Sequence, residues 1–543
     1  MGIRFIVVIV GISLAYTFLL FNLFQLQVSK NKQYLARAES QYLAAGFLNA
    51  KRGAIYFTDK NGETLPAVTN KEFPVAYAVP NILEDWVETA NRLAPILSIS
   101  VEELSEQLSK DNDPYEMLSD EITPEVEREI GELNINGIAT TLSSERYYPF
   151  GSLASQVLGF IAPTSEDDIK SGRYGVEKFY DAELSGQSGK SLLGKVVLPQ
   201  SGEDLILTID PNIQIEAEKI LSELVRNFNA KGGTVIVQDP ETGKILAFEN
   251  TPNFDPNSYG EFDLQTFINP AVQGIYEPGS VFKVITMAAG IDTKSVTPET
   301  SFYDTGELHI SGRTIKNWDL KSHGTVTMAN VLEQSINTGA VFAEQKVGRE
   351  KFRDYLGKFG FKDETGIDLP GERKGDLSRL TNNAPEVAFA TAAFGQGVAV
   401  TPIEMINAFS AIANGGKLMR PYINSDLGPE EIRTVINPES SKAIGEMLVS
   451  AVDKAVIAAV SGYYIAGKTG TAQVPDFVNG GYTENVINTY IGYGPVTDAK
   501  FVILIKLDEP EGAPLAGRTV VPAFHELAQF IVNYYNIPPD RLR

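Results

Sequence analysis

The sequence predicts an α+β fold for the larger, C-terminal part of the chain, and three observations carry that prediction. Gly233 to Gln238 and Lys244 to Phe248 flank Asp239-Pro240-Glu241-Thr242-Gly243, which reads as strand, turn and strand. Asn488 to Gly494 and Phe501 to Leu507 make a second such pair near the end, and Ala523 to Tyr535 reads as a closing helix. A long, mostly helical section lies between the two pairs. Strands at both ends of a segment with helices gathered in its middle describe an antiparallel sheet with segregated helices, not alternating βαβ units.

Length, charge and composition narrow the rest. A chain of 543 residues exceeds one ordinary core, so two or three domains are expected. Asp plus Glu number 69 against 46 Lys plus Arg, a net charge of −23, and such a surface repels phosphate backbones and excludes nucleic acid as a partner. With no cysteine, the chain can form no disulfide, zinc–thiolate or Fe–S site and has no cysteine nucleophile.

From Phe5 to Phe24 no residue is charged, and at about 1.5 Å per residue the run is about 30 Å long, one hydrocarbon core. The nearest small-x-small pattern, Ala36-Arg37-Ala38, lies beyond the polar run Ser29 to Gln33, so an uncleaved signal anchor is expected. Arg4 stands on one side of the span and Lys30, Lys32 and Arg37 on the other, and this bias does not decide the orientation. Asn31 to Tyr42 reads as a polar continuation of the helix. Ala54 to Thr58, followed by Asp59-Lys60-Asn61-Gly62, reads as a strand entering a hairpin.

Between about 82 and 137 the spacing predicts short amphipathic helices dense in Glu and Asp, among them Val101 to Leu108 and Pro124 to Leu133. Their acidic faces read as solvated surface, with a docking surface for another membrane protein as the functional alternative. Asp204 to Asp210 reads as a short strand. Asn212 to Phe228 carries Ile213, Ala217, Ile220, Leu221 and Leu224 at helical spacing. The expected organisation is a short end (1–4), a membrane anchor (5–24), an N-terminal domain (25–205) and a larger C-terminal domain (206–543).

The chemistry centres on Tyr276-Glu277-Pro278-Gly279-Ser280-Val281-Phe282-Lys283. Pro-Gly marks a turn, Val281 to Ala289 can be helical, and positions i and i+3 share a face, so the Lys283 amine can reach Ser280. A serine hydroxyl attacks a carbonyl poorly unless a base takes its proton, and a desolvated lysine near a second cation can serve. Alone, S-x-x-K is weak, and Ser29 to Lys32 repeats it by chance. Downstream, however, come Ser335-Ile336-Asn337 and Lys468-Thr469-Gly470-Thr471, completing S-x-x-K, S-x-N and K-T-G in that order.

Rival motifs fail. Gly462 to Thr469 satisfies the phosphate-loop pattern, but Tyr463-Tyr464-Ile465-Ala466 is bulky and strand-like, and Gly470 interrupts any helix. No G-x-S-x-G elbow is present, and the chain has only His309, His323 and His525. His525-Glu526-Leu527-Ala528-Gln529 lacks the second histidine of a zincin helix.

The trio, together with Arg52-Gly53-Ala54-Ile55, Asp59-Lys60-Asn61-Gly62, Arg146-Tyr147-Tyr148-Pro149, Gly175-Val176-Glu177, Asn317-Trp318-Asp319 and Gly395-Gln396-Gly397, resembles the class B penicillin-binding proteins. The likeness spans nearly the whole chain outside about 80 to 140. It implies the penicillin-binding transpeptidase fold behind an N-terminal pedestal of the dimerisation type. It also implies a D,D-transpeptidase anchored in the cell membrane with its large part outside the cytoplasm. Arg52, Arg146 and Glu177 are expected to meet in a structural polar cluster.

By this resemblance Ser280 attacks a stem peptide ending in D-Ala-D-Ala, Lys283 takes its proton, Ser335 passes a proton to the leaving D-Ala and Asn337 holds the substrate amide. Lys468, Thr469 and Thr471 grip the terminal carboxylate from an exposed strand edge, with Gly470 between them, and the Ser280 and Thr471 amides form the oxyanion hole. An amine from a neighbouring stem then resolves the acyl-enzyme. No cofactor, metal or nucleotide is required. β-Lactam antibiotics acylate the same serine, and a SEDS-family glycan polymerase is the implied partner.

The runner-up is a β-lactamase or D,D-carboxypeptidase on the same fold, and a non-catalytic wall scaffold or β-lactam sensor is the alternative of another class. A sensor is expected to carry a cytoplasmic effector, and here only Met1 to Arg4 precede the span.

Overall fold

A helix that is apolar on every face has no side to turn to water, and the first element is of that kind. Gly2–Phe24 is α-helical and runs on into a wider turn over Gln25–Ser29, with Phe5, Ile6 and Phe21 more than half exposed. Phe5–Val28 is the one helix among the described residues that is long and apolar enough to cross a membrane. The computed structural model describes residues 2–30, 50–110, 116–119, 121–164, 170–192, 195–476, 478–512 and 515–541. The expected helix over Asn31 to Tyr42 and the Ala36-Arg37-Ala38 pattern lie outside these residues.

Packing divides the chain into two compact units, each made of separate stretches of sequence. The first comprises Met1–Ala54, Thr69–Tyr147 and Ala182–Asp204, and the second Ile55–Val68, Tyr148–Asp181 and Leu205–Arg543.

In the first unit, residues Thr69 to Ala78 of the strand Thr64–Ala78 pair antiparallel with Ile138–Tyr147, and Ala76 to Ala78 also pair with Glu116–Ser119. The acidic helices fall where the sequence puts them, Val101–Leu108 and Pro124–Leu133. Each starts at a hydroxyl cap, Ser100 accepting from the Glu103 N–H and Thr123 from the Val126 N–H. Their apolar sides enter a core of Ala76, Leu93, Leu104, Leu118 and Ile130, which leaves the carboxylates outside.

Arg52 and Arg146 do share a partner in this unit. The Asn70 amide donates to the Arg52 carbonyl at 2.5 Å, and the Arg146 guanidinium donates to the Asn70 oxygen at 3.1 Å. Glu177 belongs to the second unit, where the Tyr148 hydroxyl donates to its carboxylate at 3.4 Å.

The second unit is built on a five-stranded antiparallel sheet. Its strands are β1 (Gly232–Gln238), β2 (Ile245–Thr251), β3 (Ala466–Pro475), β4 (Tyr482–Gly494) and β5 (Phe501–Asp508), in the order β2-β1-β5-β4-β3. On one face lie α1 (Pro211–Asn227), which starts at Asp210 with Pro211 in its first turn, and α6 (Val520–Tyr534). Ile213 and Leu221 of α1, Phe524 and Leu527 of α6, and Ile503 and Ile505 of β5 form the core between helices and sheet.

The chain between β2 and β3 supplies the helices that concern the chemistry: α2 (Lys283–Asp292), α3 (Met328–Glu333), α4 (Asn337–Val347) and α5 (Pro438–Ala455). Residues 283 to 290 of α2 are buried without a break, so this is a central helix with no solvent face.

Four boundaries differ from the sequence reading. Asp204 to Asp210 gives only the strand Leu205–Ile206, paired parallel to Ile55 and Tyr56. β4 begins at Tyr482, six residues before Asn488, and α6 begins at Val520. The strand carrying the K-T-G-T motif begins at Ala466, after Tyr463, Tyr464 and Ile465. The K-T-G-T strand and β4 start and end on each other, Tyr482 opposite Pro475 and Ala466 opposite Tyr493. The hairpin at Asn61-Gly62 forms as expected, with Ile55–Thr58 antiparallel to the strand beginning at Thr64.

Candidate active site

Ser280 lies in a single tight turn of 3₁₀ helix, Gly279–Phe282, that leads into α2. In that geometry residues i and i+3 eclipse, which places Ser280 and Lys283 on one side. Two glycines allow the turn to sit where it does. Gly395 has φ +79°, and a Cβ there would fall 2.2 Å from the Gly279 carbonyl oxygen; the Gly279 N–H donates to the Gly395 carbonyl at 3.1 Å. A Cβ on Gly470 would fall 2.8 Å from the Pro278 carbonyl oxygen, so its absence lets β3 approach the serine turn.

Glu277 ties the turn down from outside, accepting from the Gly397 N–H at 3.0 Å and the Tyr482 hydroxyl at 2.9 Å. Sequence reasoning missed this glutamate, although it lies inside the serine motif.

Lys283 is fully buried, and its hydrogen bonds go to Ser335 rather than to Ser280. The amine donates to the Ser335 carbonyl at 2.5 Å and the Ser335 hydroxyl at 3.1 Å. Among the described residues, the half-buried Ser280 side chain makes no hydrogen bond. A buried amine must find acceptors, and Ser335, which takes the left-handed conformation, φ +57°, in the bend between α3 and α4, offers its carbonyl and its hydroxyl.

Lys468, 4% exposed, reaches the same hydroxyl. Its amine donates to the Ser335 Oγ at 3.1 Å, the Thr469 carbonyl at 3.1 Å and the Thr469 hydroxyl at 3.3 Å. Two lysines thus converge on one serine.

Burial, and then the Lys468 charge, push the Lys283 amine well below the usual lysine range. Burial alone lowers Lys468 to about 7. An amine in that condition can hold or release a proton near neutrality.

β3 is the edge strand of the sheet, and its side chains alternate across that edge. Lys468 points inward, Thr469 is half-buried and Thr471 is exposed. The Thr471 hydroxyl accepts from the Ala516 N–H at 3.3 Å, as the Thr469 hydroxyl accepts from Lys468. Each hydroxyl therefore keeps its own O–H to donate to a ligand at the edge. The strand through Lys468 also removes the phosphate-loop reading, which needs a helix starting at that lysine.

Asn337 opens α4, its side chain donating to the Lys316 carbonyl at 2.8 Å. Beneath it lies a buried hub that the sequence reading did not identify. The Asp304 carboxylate accepts from the Thr338 hydroxyl at 2.6 Å, the Asn317 amide at 2.8 Å, and the Gly306 and His323 N–H groups at 2.9 and 2.8 Å. Burial works to raise the Asp304 carboxyl, but these donors outweigh it and hold it below the ordinary range. The signal available in the sequence was Asp304-Thr305-Gly306, a turn with its acid two residues before the glycine.

The fold and the three motifs it carries are those of a serine acyltransferase. A family model described as the penicillin binding protein transpeptidase domain matches residues 233–529, and one described as the penicillin-binding protein dimerisation domain matches residues 47–200. Stage V sporulation protein D of Bacillus subtilis is 35% identical over 503 residues, covering 87% of this chain and 76% of its own. The peptidoglycan D,D-transpeptidase FtsI homolog of Mesostigma viride is 28% identical over 574 residues, covering 96% and 94%. Penicillin binding protein 3 of Mycobacterium tuberculosis, solved complexed with aztreonam, matches with a TM-score of 0.69 and 26% identity over 91% of this chain and 98% of that one. The chain belongs to the class B penicillin-binding proteins.

Proposed function

We propose that the protein is a peptidoglycan D,D-transpeptidase in which Ser280 is the nucleophile, and that β-lactams acylate the same hydroxyl. The observation that carries this reading is the convergence of Lys283 and Lys468 on Ser335, next to the tight turn that presents Ser280. A stem peptide ending in D-Ala-D-Ala lies along β3. Its terminal carboxylate accepts from the Thr469 and Thr471 hydroxyls and faces the Lys468 amine.

Lys283, neutral because it is desolvated and faces a second amine, takes the Ser280 proton as the Oγ–carbon bond forms at the penultimate carbonyl. The backbone amides of Ser280 and Thr471 hold the oxyanion. As the carbon–nitrogen bond breaks, the departing D-Ala nitrogen takes a proton from the Ser335 hydroxyl. That hydroxyl accepts from both lysines, leaving its own O–H to be given away, and it is reprotonated from Lys283. Asn337 holds the substrate amide. An amine from a neighbouring stem then attacks the ester, its proton returns to Ser280, and an amide has replaced an amide without a nucleotide.

The Phe5–Val28 helix anchors the protein in the membrane, with the catalytic unit on the side of the cell wall. Its apolar side chains, open on every face, suit docking with a polytopic SEDS-family glycan polymerase.

Labelling with fluorescent penicillin tests the reading. Wild type should take one stable label, mapped by mass spectrometry to Ser280, and Ser280→Ala should take none. A label elsewhere removes the assignment, and rapid loss of the label from Ser280 turns the reading to a hydrolase.

A further inference from the structure

Residues other than glycine rarely hold a left-handed backbone without support, and Ser335 is held from both sides. The Trp318 indole N–H donates to the Gln334 carbonyl at 3.0 Å, just before the serine. Just after it, the Asn317 side-chain oxygen accepts from the Asn337 and Thr338 N–H groups at 3.1 and 3.2 Å. Asn317 and Trp318 are neighbours on one loop, so this loop clamps the bend that carries Ser335. Asn317 is in turn oriented by Asp304. One Asp304 oxygen accepts the Asn317 amide and the His323 N–H, and the other accepts the Thr338 hydroxyl and the Gly306 N–H.

Asp304 and Asn317 are both buried, at 0% and 1% exposed, so water cannot replace these partners. The first turn of α4 contains no acid, and Asp304 supplies the negative charge there through Thr338.

We propose that Asp304 is a positioning residue for acyl transfer, which through Asn317 and Thr338 holds Ser335 where the amines of Lys283 and Lys468 both reach its hydroxyl. The assignment rests on the acyl-transfer reading above. Asp304 touches neither lysine and no reacting atom. Its role is to fix the bend, and a carboxylate is required because its donors approach both oxygens. An asparagine would turn an NH2 against one pair of them.

The test uses the full chain in detergent, with the fluorescent-penicillin acylation rate measured from pH 5.5 to 9 beside the thermal unfolding midpoint. Asp304→Asn should acylate about 100-fold more slowly, the cost of a small misplacement at a reacting centre. Its rising pH limb should also be displaced, because Ser335 is the hydroxyl that Lys283 and Lys468 face. Thr338→Val should show the same change in smaller measure, and Thr338→Ser, which keeps the hydroxyl, should restore wild-type behaviour. If Asp304→Asn fails to fold, the Thr338 pair decides.

Wild-type rate and pH limb in folded Asp304→Asn and Thr338→Val would overturn the proposal. So would a loss of rate that tracks the unfolding midpoint while the pH limb stays in place. An unlabelled wild type would instead remove the acyl-transfer reading and this assignment with it.

Discussion

The acidic helices of the N-terminal unit and the cleft of the second unit both carry ionised residue types, and they treat them in opposite ways. Arg128 and Glu132 on Pro124–Leu133 stand 3.9 Å apart with side chains 69% and 73% exposed, one turn from each other in water. Lys283 and Lys468 are two amines held on one hydroxyl with almost no access to solvent. Water screens the first pair and leaves it worth little, whereas its exclusion from the second makes protonation costly. Charge density in the sequence therefore marks solvated surface, as the reading of the acidic helices had it. Lys283 and Lys468, whose amines lie below the usual lysine range, are lysines that the fold dries out.

The largest effect that would break this contrast is at Lys283. Lys283→Ala should slow acylation by penicillin about 1,000-fold, the usual worth of a positioned base. A rate within a few-fold of wild type would mean that the buried amine is structural. Less drastic is pH. Burial and the facing Lys468 amine push Lys283 well below the usual lysine range, and a protonated Lys283 is no base, so the wild-type acylation rate should fall as acid protonates it; a rate unchanged from about pH 5.5 to 9 would remove it as the base.

The same lowering has a stability sign. A lysine lowered in the fold to about 7 binds fewer protons than in the unfolded chain, whose lysines titrate near 10.4, so its contribution to stability rises with pH across that window. Lys468→Met should flatten the rise in chemical-denaturation midpoint between pH 7 and 10. An unchanged slope would place the titration elsewhere.

Gly470→Ala sharpens the contrast from the side of geometry. The added carbon meets the Pro278 carbonyl and must part β3 from the serine turn, with an expected loss of about tenfold in acylation. At the far end stands Arg128→Ala. It should shift the melting temperature by less than about 1 °C and leave acylation unchanged, because an exposed pair has little to lose. A larger shift would show that the acidic surface is more than a solvated face.

Much of the molecule was legible because the signals were local. Val101–Leu108, Pro124–Leu133 and the hairpin at Asn61-Gly62 follow from caps, spacing and turn residues within a few positions of each other. The serine motif was read from a turn and an i, i+3 spacing. The three motifs in order, together with the stretches from Arg52-Gly53-Ala54-Ile55 to Gly395-Gln396-Gly397, carry the family resemblance in the sequence alone. Glu277 and Asp304 escaped because their partners, Gly397 and Tyr482 for one and Thr338 and Asn317 for the other, come from separate stretches of chain.

The direction of the Lys283 amine is the clearest case of what sequence cannot hold. Its distance from Ser280 along the chain is three residues, yet its hydrogen bonds go to a serine 52 residues away, which Lys468 approaches from another 133 residues on. Sequence by itself determined the parts: which groups are nucleophilic, which can be basic, and which backbone can turn or approach closely. Tertiary structure alone decided which of them share a dry space. Desolvation and hydrogen-bond partnership depend on neighbours in three dimensions, and those neighbours set the protonation of both lysines.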